Sequence, residues 1–216
     1  LAIPEMLKYQ PDTQVVLLDD AFQHLSIQPG MNILLTEYYR PFTQDFLLPS
    51  GRLREWRSAY ERANIIIVSK CPPNLSEEER AHFQQEINPL PHQQLFFSYY
   101  DYEPPYYMFN PRYRIALEPD MDVLLISAIA GTDYLLEYLE ERVKHVYSLE
   151  FEDHHYFTNY DIGQLKANFD RIESNKKIIL TTEKDAMRLE LHRKYLLDNQ
   201  MPVFALPVRV QFHHND

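Results

Sequence analysis

Glycine is scarce in this sequence, and its scarcity excludes the common phosphate-binding loops. Only four glycines occur in 216 residues, at Gly30, Gly51, Gly131 and Gly163. A GxxxxGK[ST] loop and a GxGxxG loop both need glycines at short spacing, because the backbone must approach the phosphates closely. We therefore predict that these 216 residues contain neither a P-loop nor a dinucleotide-binding loop.

Cysteine, basic residues and long apolar runs are scarce as well. The single cysteine, Cys71, excludes an internal disulfide framework and a multi-cysteine zinc site, and it fits a reducing compartment such as the cytoplasm. The 21 basic residues face 32 acidic ones, and the net charge of -11 argues against nucleic acid as a partner. No apolar run approaches the roughly 20 residues of a membrane-spanning helix, so we expect this chain to be soluble.

The apolar residues, 45% of the chain, form short β-branched runs that alternate with stretches of helical character. This alternation predicts an α/β fold with a mostly parallel sheet flanked by helices. The predicted strands are 14–18, 32–36, 64–69, 94–98, 122–128, 145–149, 177–181 and 203–206. The predicted helices are 4–10, 76–87, 132–142, 159–172 and 183–192, with a capping box at Ser76 and Glu79 and a cap at Thr158 or Asn159.

Segment 99–114 is rich in tyrosine and proline and has neither a helical nor an alternating period. It is either a hairpin-like connection whose tyrosines pack over the edge of the core or a recognition loop. The polar residues 211–216 predict a frayed tail, so the two histidines there do not indicate a metal site.

The first polar cluster lies in VVLLDDAFQH, residues 15–24. Asp19 and Asp20 follow four apolar residues directly, and Gln23 and His24 come within one helical turn of Asp20. Ligands of an open parallel sheet bind beyond the carboxyl ends of its strands, where an acid can hold Mg²⁺. Two acids at a strand end also commonly begin a turn, so the pair by itself leaves both interpretations open.

The second polar cluster is LPSGRLREW, residues 48–56. Proline and glycine place a turn before Arg52 and Arg54, and the paired donors of a guanidinium suit a phosphate or a carboxylate. The alternative is a solvated turn with ion pairs to Glu37 or Asp45.

Two further clusters follow later strands. FEDHHY, residues 151–156, places His154 beside Asp153, an arrangement found in proton transfer, in metal sites and in surface loops. LTTEKDA, residues 180–186, is typical of a strand followed by a capped helix. Lys184 and Asp185 would reach the same sheet edge as the other clusters if the strands are parallel.

Taken in order, DDAFQH, LLPSGRLRE, FEDHHYFT and LTTEKDAMRL resemble the tetraacyldisaccharide 4'-kinases, the lipid A 4'-kinases of outer-membrane biosynthesis. The family pattern is DDG[LF]QH, LLPAGPLRE, F.DHH.[YF]T and TTEKDA.[RK]L. The matches extend over residues 19–189, with mild departures at Ala21, Ser50 and Arg52. The resemblance implies a P-loop-kinase-like fold that is truncated at its N-terminus, because the membrane-associating helix, the P-loop and a GDEP motif have no counterpart here.

The same resemblance implies a division of the chain. Residues 1–30 would be a remnant of the N-terminal P-loop nucleotide-binding domain and contain its Walker-B strand. Residues 31–210 would form a C-terminal α/β domain, and 211–216 the frayed tail. The residues alone leave a second place for the boundary, near the tyrosine-rich stretch.

The implied activity is phosphoryl transfer from ATP, with Mg²⁺, to the 4'-hydroxyl of a lipid-linked disaccharide 1-phosphate, with this chain alone inactive. Asp19 and Asp20 would be the metal acids, and Asp20 would also be catalytic. His154 would support a catalytic base outside this chain, with His155 the less favoured of the two histidines. Gln23, His24, Arg54 and Glu55 would line the headgroup site. The full-length protein would lie on the cytoplasmic face of the inner membrane and meet the membrane surface through the missing part.

Two other interpretations of the same residues remain open. One is a metal-dependent phosphoesterase that uses Asp19, Asp20, Asp153 and His154. The other is a non-catalytic α/β binding domain in which the acids only form turns.

Overall fold

The structure is a computed structural model that describes residues 2–129 and 131–213. It divides into two compact units, residues 1–98 with 212–216, and residues 99–211. This division does not coincide with the boundary predicted at residue 30. Residues before that point stay with the first unit because Phe22 packs against its core, and because Arg62 donates to the Phe22 carbonyl at 2.7 Å. The division falls instead at the start of the tyrosine-rich segment.

Strands and helices alternate over most of the described chain. The strands are β1 (Ile33–Glu37), β2 (Ile65–Ser69), β3 (Gln94–Tyr102), β4 (Tyr106–Tyr107), β5 (Asn110–Arg114), β6 (Asp122–Ser127), β7 (His145–Glu150), β8 (Lys177–Thr182), β9 (Val203–Leu206) and β10 (Val208–Phe212). The α-helices are α1 (Ala2–Tyr9), α2 (Glu77–Ile87), α3 (Asp133–Glu140), α4 (Asn159–Arg171), α5 (Glu183–Leu189) and α6 (Arg193–Asp198), and 3-10 helices cover Arg57–Arg62 and Glu190–His192. The predicted capping box is present at Ser76 with Glu79, and of the two predicted caps for α4 it is Thr158 that caps the helix, in a capping box with Asp161.

The first sheet has the strand order β1-β2-β3-β10. β1 is parallel to β2, and β2 is parallel to β3. Helix α2 covers one face of this sheet, where Phe83 and Ile87 pack with the buried Ile66 and Val68. On the opposite face, Leu35 of β1 is 65% exposed. This is unusual because parallel sheets generally have both faces covered.

The predicted strand at 14–18 does not form, and this part of the sequence prediction is wrong. The segment carries no regular secondary structure, and Leu17 is 89% exposed. A strand needs a neighbour that pairs with its backbone N–H and C=O groups. Among the described residues no strand pairs with this segment. An apolar β-branched run without a neighbouring strand therefore stays irregular and exposed.

The second sheet has the order β5-β4-β9-β8-β6-β7. β7, β6, β8 and β9 are mutually parallel, and β4 is antiparallel to both β5 and β9. Alternate residues of β6 face two apolar clusters, with Leu124 and Ile126 in one and Val123 and Leu125 in the other. This sheet is therefore buried on both sides, as its nearly continuous apolar strands require.

The predicted fold class, a mostly parallel α/β arrangement with flanking helices, is confirmed. Segment 99–114 extends β3 and then forms the β4–β5 hairpin, which agrees with the hairpin interpretation. The predicted tail is partly ordered. Phe212 ends β10, and His213 is buried with its N–H bonded to the Phe97 carbonyl at 3.0 Å, while 214–216 lie outside the described residues. Within residues 2–129 and 131–213, no helix has the length and apolar character that a membrane span requires.

Candidate functional site

The first unit brings the DDAFQH and LPSGRLREW motifs into contact. Nη1 of Arg54 lies 3.1 Å from Oδ1 and 3.0 Å from Oδ2 of Asp20. Both side chains are exposed, Arg54 by 57% and Asp20 by 70%, so the pair contributes little to stability. The backbone of Asp20 has a φ of 48°, a left-handed conformation that is uncommon for residues other than glycine. Such conformations persist where a turn or a site requires them.

The other polar residues of DDAFQH surround this ion pair in sequence and remain accessible. Asp19, Gln23 and His24 are all exposed. The His24 ring is 2.9 Å from the hydroxyl of Ser26. Asp19 has no ion-pair partner among the described residues, so its carboxylate is available to a cation.

Glu55 is held by an arginine that the sequence did not single out. Arg62 contacts both carboxylate oxygens of Glu55, at 2.6 and 2.9 Å. The same guanidinium donates to the Phe22 carbonyl and lies 4.1 Å from the centroid of the Phe22 ring. Arg62 therefore connects the two motifs, and it orients Glu55 within the first unit. The only sequence signal for it is an arginine seven residues after Glu55, which is too common a spacing to be informative.

The turn that precedes Arg54 is closely packed around Gly51. A Cβ atom on Gly51 would lie 2.3 Å from the Phe46 carbonyl oxygen, so only glycine fits there. Oδ1 of Asp45 accepts the N–H groups of Phe46 and Arg52, and these hydrogen bonds hold the pKa of Asp45 below its usual value. Arg52 lies 4.0 Å from Glu37 and 3.7 Å from Asp45. The solvated-turn interpretation thus describes Arg52, whereas Arg54 reaches Asp20.

Two cavities flank this turn. One, of 710 Å³, is lined mainly by apolar side chains, among them Phe46, Leu48, Leu53 and Trp56. The other, of 490 Å³, is lined by Arg54, Glu55, Arg62 and Glu61 together with Leu47, Trp56, Ser58 and Ala59. An apolar cavity beside a charged one is suited to a ligand that has both an apolar and a polar part.

The second unit joins the FEDHHY and LTTEKDA motifs. Nδ1 of His154 lies 3.1 Å from Nη2 of Arg188, and the Lys184 ammonium is 3.5 Å from Asp153. The expectation that Lys184 and Asp185 share a sheet edge with the other clusters is met for FEDHHY, because β8 is parallel to β6 and β6 to β7. It is not met for DDAFQH and LPSGRLREW, which belong to the first unit. His154 has a φ of 65°, so it too adopts the left-handed conformation.

The two histidines of FEDHHY have different surroundings. The side chain of His154 is 70% exposed. His155 stacks on Phe151 at 4.7 Å between centroids, and its Nε2 is 2.9 Å from Asp161. Burial works to raise the pKa of Asp161, but hydrogen bonds from His155 and Thr158 outweigh it and lower that pKa. His155 therefore serves the capping box of α4, and His154 is the accessible imidazole.

The two predicted kinds of metal site place different demands on the residues around the metal ion. Among the described residues, no group of three or more His, Cys, Asp or Glu side chains is arranged to hold a metal ion. A phosphoesterase built on Asp19, Asp20, Asp153 and His154 would need such a group. A magnesium site is less demanding, because Mg²⁺ is usually held by one or two carboxylates, with waters and substrate phosphates as further ligands. The adjacent, accessible carboxylates of Asp19 and Asp20 fit that requirement.

The motifs thus occur as two pairs, one in each unit. DDAFQH meets LPSGRLREW through Asp20 and Arg54, and FEDHHY meets the longer motif LTTEKDAMRL through His154 and Arg188. Arg62, Arg188 and the buried carboxylate of Asp185 complete these pairs, and they were not among the predicted site residues. Arg188 had one available signal, its position three residues after Asp185 on the same predicted helix face.

Comparisons with known proteins agree with the order of the motifs. The model of the tetraacyldisaccharide-1-P 4'-kinase family, LpxK, matches residues 1–216. Tetraacyldisaccharide 4'-kinases from Bacteroides fragilis strain YCH46 and Bacteroides thetaiotaomicron are 38% and 39% identical to the chain, over 214 and 217 residues. These alignments cover 95% of this chain and 56% and 57% of the relatives, so the chain spans about half their length.

A solved structure has a similar fold. A crystal structure described as the "apo" form of LpxK from Aquifex aeolicus in complex with ATP matches with a TM-score of 0.55 and 21% sequence identity. The match covers 91% of this chain and 53% of that chain. Since the family model matches the whole sequence, the chain belongs to the tetraacyldisaccharide-1-P 4'-kinase family.

Proposed function

We propose that this chain forms part of an enzyme that transfers a phosphoryl group from ATP to the 4'-hydroxyl of a tetraacyldisaccharide 1-phosphate during lipid A biosynthesis. The observation that carries the proposal is the contact between Arg54 and Asp20, 3.0 Å apart beside Asp19. It combines a cation suited to phosphate with carboxylates suited to a metal ion in a chain of this family. In phosphoryl transfer these two kinds of group provide most of the protein's contribution, through positioning and charge stabilisation.

In this proposal Asp19 and Asp20 hold Mg²⁺. When bound, the ion neutralises charge that develops on the phosphate oxygens. Asp19 offers an accessible carboxylate without an ion-pair partner in the described part of the chain, and Arg54 restrains the carboxylate of Asp20. The chain has no Walker-A-type loop, so we expect ATP to be bound only together with residues outside these 216.

The headgroup of the lipid substrate is assigned to the same turn. The Arg54 guanidinium binds a substrate phosphate, and the exposed Gln23 and His24 supply hydrogen bonds to sugar hydroxyls. Glu55 contributes to the headgroup site by stabilising the turn that carries Arg54, because both its carboxylate oxygens accept hydrogen bonds from Arg62. The neighbouring cavity of 490 Å³ provides room for polar groups beside Arg54.

His154 supports the catalytic base in this proposal. Its imidazole is accessible, and its other ring nitrogen is engaged by Arg188, so it can hydrogen-bond to a carboxylate base supplied from outside this chain. We further propose that the enzyme works at the cytoplasmic face of the inner membrane. The support for this is the tetraacylated substrate named in the family description, because several acyl chains together favour stable anchoring in a bilayer.

The experiment is a kinase assay on a fusion that supplies the part of the Bacteroides thetaiotaomicron relative outside the matched region. The fusion should phosphorylate the disaccharide lipid in the presence of ATP and Mg²⁺, and the 216-residue chain alone should not. Asp20→Asn should reduce turnover at least about a hundredfold, the scale on which a charge-stabilising group acts. The exposed Asp12→Asn is the matched control and should leave turnover unchanged. An unchanged turnover in the Asp20 variant would contradict the assignment of Asp20 as a metal ligand. An inactive fusion, measured beside an active full-length relative, would contradict the proposed function.

A further inference from the structure

The second unit contains a fully buried carboxylate that contacts Arg188, the partner of His154. Asp185, at the start of α5, has no exposed surface. Its Oδ2 accepts the Ala128 N–H at 3.0 Å and the Thr182 hydroxyl at 2.9 Å, and its Oδ1 accepts Nη1 of Arg188 at 2.8 Å. A buried carboxylate is tolerated only when it is paired and hydrogen-bonded. Its three donors come from the end of β6, the end of β8 and α5, so Asp185 fixes these elements to one another.

Arg188 connects the buried Asp185 to His154. Its Nη1 also donates to the Ala128 carbonyl at 3.2 Å, and its Nη2 faces Nδ1 of His154 at 3.1 Å. The Ala128 carbonyl accepts the backbone N–H of His154 as well, at 3.2 Å. The Arg188 side chain is only 16% exposed. His154 is thus held at its backbone and at its ring, although its side chain lies at the surface.

These contacts determine which ring nitrogen carries the proton. A guanidinium has only donors and stays protonated in proteins, so Nδ1 of His154 must be the acceptor. A neutral imidazole then has its single proton on Nε2. We propose that Arg188, itself anchored by Asp185, is a positioning residue that restricts His154 to the Nε2–H tautomer.

This tautomer places the donor on the accessible side of the ring. Nε2 of His154 is 3.5 Å from Oδ2 of Asp153, whose other oxygen is 3.5 Å from Lys184. The catalytic role of this tautomer rests on the proposed function, in which His154 donates a hydrogen bond from Nε2–H to the carboxylate base. A mixture of tautomers would leave only a fraction of the molecules with a donor on that side. The second ring nitrogen of a catalytic histidine commonly determines the role of the first in this way.

The test is the two-bond ¹H–¹⁵N imidazole spectrum of the ¹⁵N-labelled 216-residue chain at pH about 8, where an ordinary imidazole is neutral. The spectrum distinguishes the two neutral tautomers, and His154→Gln identifies the His154 signals. We expect a single Nε2–H pattern for His154 in the unmodified chain. Arg188→Met should convert it to the averaged signals of a tautomer mixture. Arg193→Met, which removes an exposed arginine paired with Glu190, should leave it unchanged, and the His155 signals serve as an internal reference.

A second variant covers the case in which Arg188→Met does not fold, since removal of one partner from a buried ion pair is destabilising. Arg188→Lys keeps a cation near Asp185. A single ammonium cannot, however, contact Asp185 and Nδ1 of His154 at the same time as the two Nη atoms of arginine do. It should also lose the single-tautomer pattern, with thermal unfolding recorded to confirm the fold. An Nδ1–H pattern in the unmodified chain, or a pure Nε2–H pattern in a folded Arg188 variant, would overturn the inference. The readout uses neither ATP nor lipid, so it fails or succeeds independently of the kinase assay.

Discussion

Nη1 of Arg54 lies 3.1 Å from one carboxylate oxygen of Asp20 and 3.0 Å from the other, across 34 positions of sequence. The contact joins an acidic turn to a basic one on the surface of the first unit. Because both side chains are largely exposed, water and salt screen their attraction. The proximity of Arg54 and Asp20 should therefore affect the binding of a charged ligand more than the free energy of unfolding. The two quantities can be measured separately.

Arg54→Ala should separate binding from folding. We expect the KM of the fusion enzyme for the disaccharide lipid to rise by roughly 10- to 100-fold, the equivalent of a hydrogen bond to a charged group. The free energy of unfolding of the chain should change by less than about 1 kcal/mol, as is usual for exposed ion pairs. Arg112→Ala, at an exposed position in β5, is the control and should alter neither quantity. A large loss of stability with an unchanged KM would assign Arg54 a purely structural role.

Gly51→Ala should destabilise the turn before Arg54. The added Cβ would lie 2.3 Å from the Phe46 carbonyl oxygen, so the backbone has to move. Overpacking of this kind costs about 1–3 kcal/mol, which urea unfolding of the chain would detect. Gly30→Ala is the matched control, since nothing lies within 4 Å of a Cβ there. It should be neutral or stabilise by up to about 1 kcal/mol. Equal effects at both positions would contradict the close packing of the turn.

The two faces of the first sheet should respond differently to truncation. Ile66 of β2 is fully buried beneath α2, and Ile66→Ala should lower the free energy of unfolding by about 2–5 kcal/mol. Leu35 of β1 is 65% exposed on the other face, and Leu35→Ala should change it by no more than about 0.5 kcal/mol. The measurement is urea unfolding of the 216-residue chain. A cost at Leu35 that matches the cost at Ile66 would show that the second face is covered in solution.

Glu79 should make the chain sensitive to acid. Hydrogen bonds from Tyr38 and Ser76 lower the pKa of Glu79 from its usual 4.5 to about 2. Below pH 4.5 the unfolded chain takes up a proton that the folded chain does not, so protonation favours unfolding. The stability that Glu79 contributes is thus complete above about pH 4.5 and is lost as the pH falls toward 2.

The measurement is the difference in urea midpoint between the unmodified chain and Glu79→Gln, at pH 6 and at pH 3. We expect a clear difference at pH 6 and a smaller one at pH 3. The neighbouring exposed Glu78→Gln is the control and should give small differences at both values. If the difference in urea midpoint between the unmodified chain and Glu79→Gln were larger at pH 3 than at pH 6, the predicted pH dependence of stability would have the wrong sign.

Local sequence patterns predicted most of the fold. The runs that became β2, β6 and β8 are short, apolar and β-branched. The capping box at Ser76 with Glu79 and a cap at Thr158 or Asn159 could also be predicted from residue types alone. These features depend on neighbours within a few positions, which the sequence displays directly. Residues 14–18 have the same composition as those strands, yet they are exposed and unpaired in the described chain. Composition therefore identifies a segment able to form a strand, but a strand also needs a partner.

The candidate site was predicted only in part, for a related reason. The motifs point to Asp19, Asp20, Arg54 and His154 as candidates, because their residue types and order are distinctive. They did not identify Arg62 or Arg188, which are common residues whose importance comes from what they contact. Arg62 holds Glu55 and the Phe22 carbonyl, and Arg188 holds Asp185, Ala128 and His154. A hydrogen-bonded network of this kind has no local periodicity to detect.

The sequence by itself determined that this chain is a mostly parallel α/β protein with four motifs of the tetraacyldisaccharide-1-P 4'-kinase family. Only the tertiary structure decided which motifs meet, with Asp20 against Arg54 in one unit and His154 against Arg188 in the other. It also decided that the division falls after Ser98 and that the run before Asp19 remains unpaired. The reason is physical. Helix and strand preferences act over a few residues, whereas contacts between residues 34 positions apart depend on strand pairing, register and the burial of charge.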